Sequence, residues 1–295
     1  MKSNLTHSKQ LNLWKEEKEK VIDYLKKFKT KEDQFETVLF LPTSISRQGE
    51  GGLRTKGYYR KRDNKNPLIT VITVVLNNHK YIEDTILSVL SQSYKNIEYI
   101  VIDGGSKDGT LEIIKKYNDF IDYWVSEKDM GIYDAMNKGC RLAFGQGICF
   151  LNSKDIFIGN VFNNESVFPY IIPCKIKEYK KKIYNNNFLN NDFHLYQKKV
   201  GMPTSHQAMV FQNKKMLYDL NYKISSDYDF FIRHGVFFKL NNNCEGHVLY
   251  DNEGLSSQNK ILRNFETLNI IFRYYGFWSC LKFLLEGIIK ILKNF

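Results

Sequence analysis

Cysteine is scarce and unpatterned in this chain. Five cysteines (140, 149, 174, 244 and 280) are spread through 295 residues, none in a CxxC pair, and the odd number leaves one over. That argues for a reducing compartment and against a disulfide scaffold or a structural zinc site. An apolar core of signal-peptide length is also missing. The start, MKSNLTHSKQLNLWKEEKEK, is polar and charged, so the expectation is a chain not marked for export. No charge-free run reaches the ~18 residues of a membrane-spanning helix. Zinc-finger spacing and an RNP-like aromatic motif are absent too, which leaves charge alone to favour nucleic acid, and no nucleic-acid partner is expected. That charge is +11, and it suits phosphorylated substrates or an anionic membrane as well as a polynucleotide. With 43% hydrophobic and 25% charged residues, the chain has the composition of a globular protein with a substantial core.

What is present sorts into three stretches. Residues 1–33 are charge-dense, with Trp14, Val21, Leu25 and Phe28 near one face of a predicted docking helix. Residues 42–66, PTSISRQGEGGLRTKGYYRKRDNKN, combine glycines with clustered basic residues and read as an exposed linker or a phosphate-contacting loop, the linker being the simpler expectation. From Pro67 the pattern sharpens. LITVITVVLN is a continuous apolar run of the kind buried on both faces of a parallel sheet. Ile82, Ile86, Val89 and Leu90 follow at helical spacing, then the strand IEYIVID, a short helix over Thr110 to Tyr117, the strand IDYWVSE, and a helix burying Ile132, Ala135, Met136 and Ala143. GICFLN is a fourth strand. Alternating strands and helices with short joints mean βαβ units, whose ligands collect at the carboxyl ends of the strands, where Asp103 and Asp155 fall.

The stretch DGGSKDGT after the second strand fits neither familiar phosphate loop. Ser106 stands where a dinucleotide fingerprint needs its second glycine, and Thr110 stands where a Walker A loop needs lysine. An acid ahead of the glycines would repel a pyrophosphate but accept hydrogen bonds from ribose hydroxyls or a base N–H, which makes Asp103 a candidate nucleoside clasp. Asp108, before Gly-Thr and a helical run, is expected to cap that helix.

The motifs LITVITVVLNN, SVLSQSYKNIEYIVIDGGSKDGT, SEKDMGIYDAMNKG and FLNSKDIF, between Pro67 and Phe157, resemble the family 2 glycosyltransferases of the GT-A fold. The likeness is greatest to the bacterial branch that builds capsule, exopolysaccharide and O-antigen (lipopolysaccharide). SHQAMVF (205–211) and KISSDYDFFIR (223–233) resemble that family's acceptor-side half. The resemblance implies a mostly parallel, Rossmann-like sheet flanked by helices over residues 67–262, after an N-terminal helical extension and basic linker (1–66). It implies an inverting hexosyltransferase that uses a nucleotide-diphosphate-sugar donor, a glycan or lipid-linked glycan acceptor, and Mg²⁺ or Mn²⁺. Carried over by position, Asp103, Asp129 and Asn137 would bind the donor, Asp155 would bind the metal, and Asp227 in SSDYD would be the catalytic base. Asp227 also reads as a helix N-cap before YDFFIR, and the two roles are compatible. Asp134 and Asp229 are expected to be structural. His206 is either a core histidine or a contact to donor phosphate or acceptor, and His7, His79, His194, His234 and His247 form no ligand spacing.

Two departures stand out. Where the family usually has an acid, this chain has Lys154, in Asn152-Ser153-Lys154-Asp155, and the ammonium cannot ligate a metal. Either Lys154 turns away and leaves Asp155 alone on the metal, or it pairs with the diphosphate and partly replaces the cation, or the site is weakened. In the last case the chain would be a silent nucleotide-sugar-binding or scaffold subunit of an assembly complex. Leu76 replaces an aromatic residue common among relatives. At the C-terminus, Lys282, Glu286, Lys290 and Lys293 align opposite Phe, Trp, Leu and Ile side chains. Residues 263–295 therefore read as an amphipathic helix on the cytoplasmic membrane's inner face, with docking on the protein's own core or a homodimer contact as alternatives.

Overall fold

The computed structural model describes residues 35–164, 168–176, 194–195, 202, 204–235, 237–240, 244–251 and 259–292. The docking helix expected within 1–33 lies outside them, as does most of 174–200.

The 42–66 stretch is an exposed linker only in its second half: residues 55–66 are exposed, while the segment before them joins the sheet. Gly49–Gly51 (β1) pairs antiparallel with Tyr123–Ser126 (β4) and forms one edge of the main sheet. The basic residues that suggested a linker find acids contributed from elsewhere in the chain. Arg47 meets Glu127 at 2.8 Å, Arg60 meets Asp122 at 2.8 Å, and Arg54 is buried against Glu98 at 2.8 Å.

Ile69–Val75 (β2), Ile97–Asp103 (β3), β4 and Gly147–Phe150 (β5) form the parallel heart of the sheet, with neighbours β4-β3-β2-β5. Their continuous β-branched runs are buried along their whole length, as a sheet covered on both faces requires. Alternate residues serve opposite faces. Ile69, Val71 and Val75 pack with Ile82, Ile86 and Val89 of Ile82–Leu90 (α1) and with Leu111 and Ile114 of Thr110–Lys116 (α2). Ile72 and Val74 pack on the other face with Ala135, Met136 and Cys140 of Ile132–Leu142 (α3). Each such aliphatic side chain contributes roughly 1.5–3 kcal/mol by leaving water. Gly139 lets α3 sit this close, because a Cβ there would lie 2.5 Å from Ile72 Cγ2.

Beyond β5 the chain adds Ile156–Ile158 (β6), Tyr170–Ile171 (β7), Cys174–Ile176 (β8), His194–Leu195 (β9), Met209–Gln212 (β10), Phe237–Leu240 (β11) and His247–Tyr250 (β12). Among the described residues the main sheet runs β1-β4-β3-β2-β5-β10-β7-β11-β9, with β10 antiparallel to β5, and a small sheet runs β6-β12-β8. Ser226–His234 (α4) packs Tyr228, Phe230 and Phe231 into the same core as α3.

The C-terminal stretch is two helices, not one. Lys260–Tyr275 (α5) ends at Gly276, whose φ of 78° turns the chain, and Phe277–Leu292 (α6) follows. Ile270, Ile271 and Tyr274 dock α5 on the protein's own core. Phe272, Phe277, Trp278, Leu284 and Leu285 remain exposed. No helix among the described residues is long and apolar enough to cross a membrane.

Candidate active site

The carboxyl ends of β2 to β5 open on one side of the sheet, as parallel strands must, and a cavity of about 660 Å³ lies there. Its floor is Val74, Val75 and Leu76, and its walls come from segments 129–136, 152–155, 205–207, 223–227 and 250–251. Asp129, Lys154, Asp155, His206 and Asp227 all line it. Asp103 and Asn137 do not.

Asp103 is fully buried at the end of β3. Its carboxylate accepts hydrogen bonds from Ser106 N (3.1 Å), Ser106 Oγ and Ser126 Oγ (2.5 Å), so its oxygens pin the DGGS turn to β4. The free-standing clasp read from the sequence is thus a fastening of the loop. The acid at the rim is Asp129. It occupies the space over Gly104, where a Cβ would lie 2.3 Å from Asp129 Oδ2. Burial pushes the Asp129 carboxyl above its ordinary range, against a hydrogen bond from Gly131 N at 2.9 Å. Such an acid, short of donors, is suited to accept hydrogen bonds from a ligand.

Asn137, expected beside Asp129, faces inward from α3. Its amide donates to Tyr218 O (3.0 Å) and accepts from Tyr218 N (2.7 Å), clamping the approach to α4. Asp134 accepts from Met130 N at 3.0 Å and so shapes the start of α3, as expected. Asp108 accepts from Thr110 N at 3.1 Å at the start of α2, and its second oxygen holds His79 N.

Asp227 lies in the first turn of α4, with Ser225 rather than itself at the N-cap position. Its side chain is 20% exposed; Oδ2 is 3.4 Å from His206 Nδ1 and Oδ1 is 3.3 Å from the Tyr133 hydroxyl. The Tyr133 hydroxyl, 2.5 Å from Ile224 O, keeps its proton because burial and then Asp227's charge raise its pKa. Three backbone N–H groups, of Lys223, Ile224 and Ser225, donate to Glu266 of α5 at 2.7–2.9 Å, which fixes where α4 begins. Asp229 is structural, holding Arg233 Nε at 2.7 Å and the Tyr274 hydroxyl at 2.8 Å.

The turn after β5 carries the expected metal acid, and its donors do not fit a divalent cation. Asp155 is 3% exposed, and its two oxygens accept from Gln207 Nε2 (2.9 Å) and Asp251 N (2.8 Å). The Lys154 ammonium lies 3.8 Å from Asp251 Oδ2. Among the described residues no cluster of three or more acids, histidines or cysteines could hold a metal. Sequence reading missed Asp251, Gln207 and Tyr133. Gln207 adjoins His206 in SHQ, which was a usable signal; Asp251 meets the turn from 96 residues away, and nothing local announced it.

Comparison with known proteins agrees with this architecture. Residues 70–162 match the family model described as glycosyl transferase family 2. An uncharacterized glycosyltransferase of Mycobacterium tuberculosis is 43% identical over 94 residues, covering 32% of this chain and 36% of that protein. The chain thus spans about a third of the length of the first curated relatives it matches. An uncharacterized glycosyltransferase of Rickettsia typhi is 27% identical over 240 residues, 74% of this chain and 73% of its own. The crystal structure of residues 1–349 of TarS from S. aureus, in complex with UDP, has a TM-score of 0.51 at 14% identity and covers 70% of this chain and 66% of that one. The fold is GT-A, a mostly parallel sheet flanked by helices.

Proposed function

We propose that the chain is an inverting glycosyltransferase that moves a hexosyl group from a nucleotide-diphosphate sugar to an acceptor hydroxyl. One observation carries this reading: Asp227, paired with His206, faces the same strand-end cavity as Asp129 and the 152–155 turn. At about 660 Å³ that cavity falls within the usual range for small-molecule sites. Asp129 accepts hydrogen bonds from the nucleoside half of the donor, and the apolar floor at Val74 to Leu76 lies under it.

Transfer is a single displacement. Asp227 takes the proton of the acceptor hydroxyl as that oxygen bonds to the anomeric carbon, and the carbon–oxygen bond to the diphosphate breaks with its electron pair on the leaving phosphate. A carboxylate held by two neighbours, at the positive end of α4, keeps a fixed aim at the hydroxyl. Incubation with uridine, guanosine and thymidine diphosphate sugars plus a glycan acceptor should release the nucleoside diphosphate with one of them. Lys154 in place of an acid favours the competing reading, a silent binding or scaffold subunit, which predicts donor binding without release.

The acceptor is a lipid-linked bacterial surface glycan of the capsule, exopolysaccharide or O-antigen type, met at the cytoplasmic membrane's inner face. Supporting the membrane contact are the exposed Phe272, Phe277, Trp278, Leu284 and Leu285 around the α5–α6 corner, with Arg273 and Lys282 on the same two helices. The protein should float with phosphatidylglycerol vesicles and not with purely zwitterionic ones, and replacing Phe277, Trp278 and Leu285 by serine should abolish flotation. Unchanged flotation would remove the membrane assignment and leave that face to a second copy of the chain.

A further inference from the structure

Resting on this reading of the cavity, the geometry points to Lys154 as the cation that holds the donor's diphosphate, in place of a divalent metal ion. The observation behind it is a division of labour on the turn after β5. Three successive backbone N–H groups of the turn are tied down. Ser153 N donates to Val74 O (3.2 Å), Asp155 N to Asn152 O (2.9 Å) and Lys154 N to Thr85 Oγ1 (3.2 Å), while Asn78 Nδ2 donates to Ser153 Oγ (2.8 Å). On this fixed frame Asp155 turns into the protein. It ties the turn to Gln207 of the 205–207 wall and to the backbone after β12.

Lys154 is held the other way. Its φ of 100° lies in the left-handed region that a Cβ makes unfavourable, so the surrounding bonds impose a conformation lysine does not choose. The result is a lysine side chain 40% exposed on the cavity wall, with its ammonium 5.5 Å from the Tyr81 ring centre and 3.8 Å from Asp251 Oδ2. Asp251 aims the side chain and remains close enough to share it with an incoming anion.

Charge gives the second line of argument. Asp129, Asp155, Asp227 and Asp251 line the cavity, and a diphosphate brings further negative charge into it. Something positive must offset the charge that grows on the leaving phosphate as the glycosidic bond breaks. The opposing groups on the lining are Lys154 and Lys223, with His206 a third when protonated. Lys154 lies on the turn where the family resemblance puts the metal, and a dication there would meet a fixed positive charge next to a carboxylate that is already engaged. An ammonium supplies charge without demanding coordination geometry, so the turn needs no second free carboxylate.

Calorimetric binding of UDP, GDP and dTDP to the full-length protein, in EDTA and again with Mg²⁺ or Mn²⁺, tests the inference. The nucleotide that binds should do so in EDTA, with a Kd within about threefold of its value with metal. Lys154→Ala should weaken binding about tenfold or more, and Lys154→Arg should restore most of it. Lys154→Gly removes the ammonium and relieves the left-handed backbone together, so it should lose binding equally while melting no lower than the parent. Lys154→Asp should bind only when metal is added. Binding that vanishes in EDTA, returns with Mn²⁺ and ignores Lys154→Ala would overturn the inference and leave the transferase reading standing. Absence of any nucleoside diphosphate binding by the folded protein, with or without metal, would remove both.

Discussion

Replacing Asp227 by asparagine is expected to lower sugar transfer by about 10²–10⁴-fold, the range general-base removal produces, while nucleotide binding stays where it was and stability falls by no more than the roughly 0.3–1 kcal/mol of a charge in a first helical turn. Asparagine keeps the shape of the side chain and its place between His206 and Tyr133, so the α4 turn has no reason to move. What disappears is the acceptor for the hydroxyl proton. If Asp227 only stabilised the first turn of α4, the loss would fall on stability, by roughly 0.3–1 kcal/mol for a charge near a helix N-terminus, and turnover would follow it down only slightly. The two outcomes separate cleanly when nucleoside diphosphate release and thermal melting are measured on the same preparation. Unchanged turnover removes the base assignment.

Histidine 206 refines that expectation. With Nδ1 3.4 Å from Asp227 Oδ2 and Nε2 3.4 Å from the Asn152 side-chain amide, it links the wall carrying the base to the turn carrying Lys154. The buried Asn152 Oδ1 has no hydrogen-bond partner among the described residues, so the amide has an unused acceptor beside the cavity. This explains why the lone histidine could not be assigned from spacing: its partners are 21 and 54 residues away in sequence and meet only through the sheet.

The same physics governs what the sequence disclosed. β2 to β5 and α1 to α3 were readable because each is specified locally, by continuous β-branched runs or by apolar residues at helical spacing. Asp103 was legible as a strand-end acid, but its role depended on Ser106 and Ser126. Ser106, three residues on, was a clue; Ser126 is a neighbour only through the parallel register of β3 and β4. Gly104, with no Cβ, lets another group come close to the backbone, and the side chain that approaches is Asp129. The break at Gly276 was equally present in the sequence, yet the apolar run either side of it suggested a single helix.

Arg54 is where local reading failed most and where the largest stability effect is expected. Its stretch looked like a solvated basic linker, yet its guanidinium is buried, donating to Glu98 Oε1 (2.8 Å), Leu39 O (3.1 Å) and Leu142 O (3.2 Å). Glu98 completes the knot by accepting from Thr70 Oγ1 (2.6 Å) and Phe144 N (2.7 Å). Arg54→Ala strands this carboxylate in the interior, and breaking a buried pair from one side typically costs about 3–5 kcal/mol. The loss should be seen in urea unfolding. It should depend on pH in a defined sense. Burial raises the Glu98 pKa and Arg54 pulls it back, so the variant's folded state binds a proton more readily than its unfolded state. Its deficit should therefore shrink as pH falls towards the carboxylate range and widen as pH rises. Replacing both partners, with Arg54→Met and Glu98→Leu together, removes the stranded charge and should recover much of the loss. A deficit below about 1 kcal/mol and flat with pH would mean that water reaches Glu98, and that the 42–66 stretch hangs on the sheet edge without being locked to it.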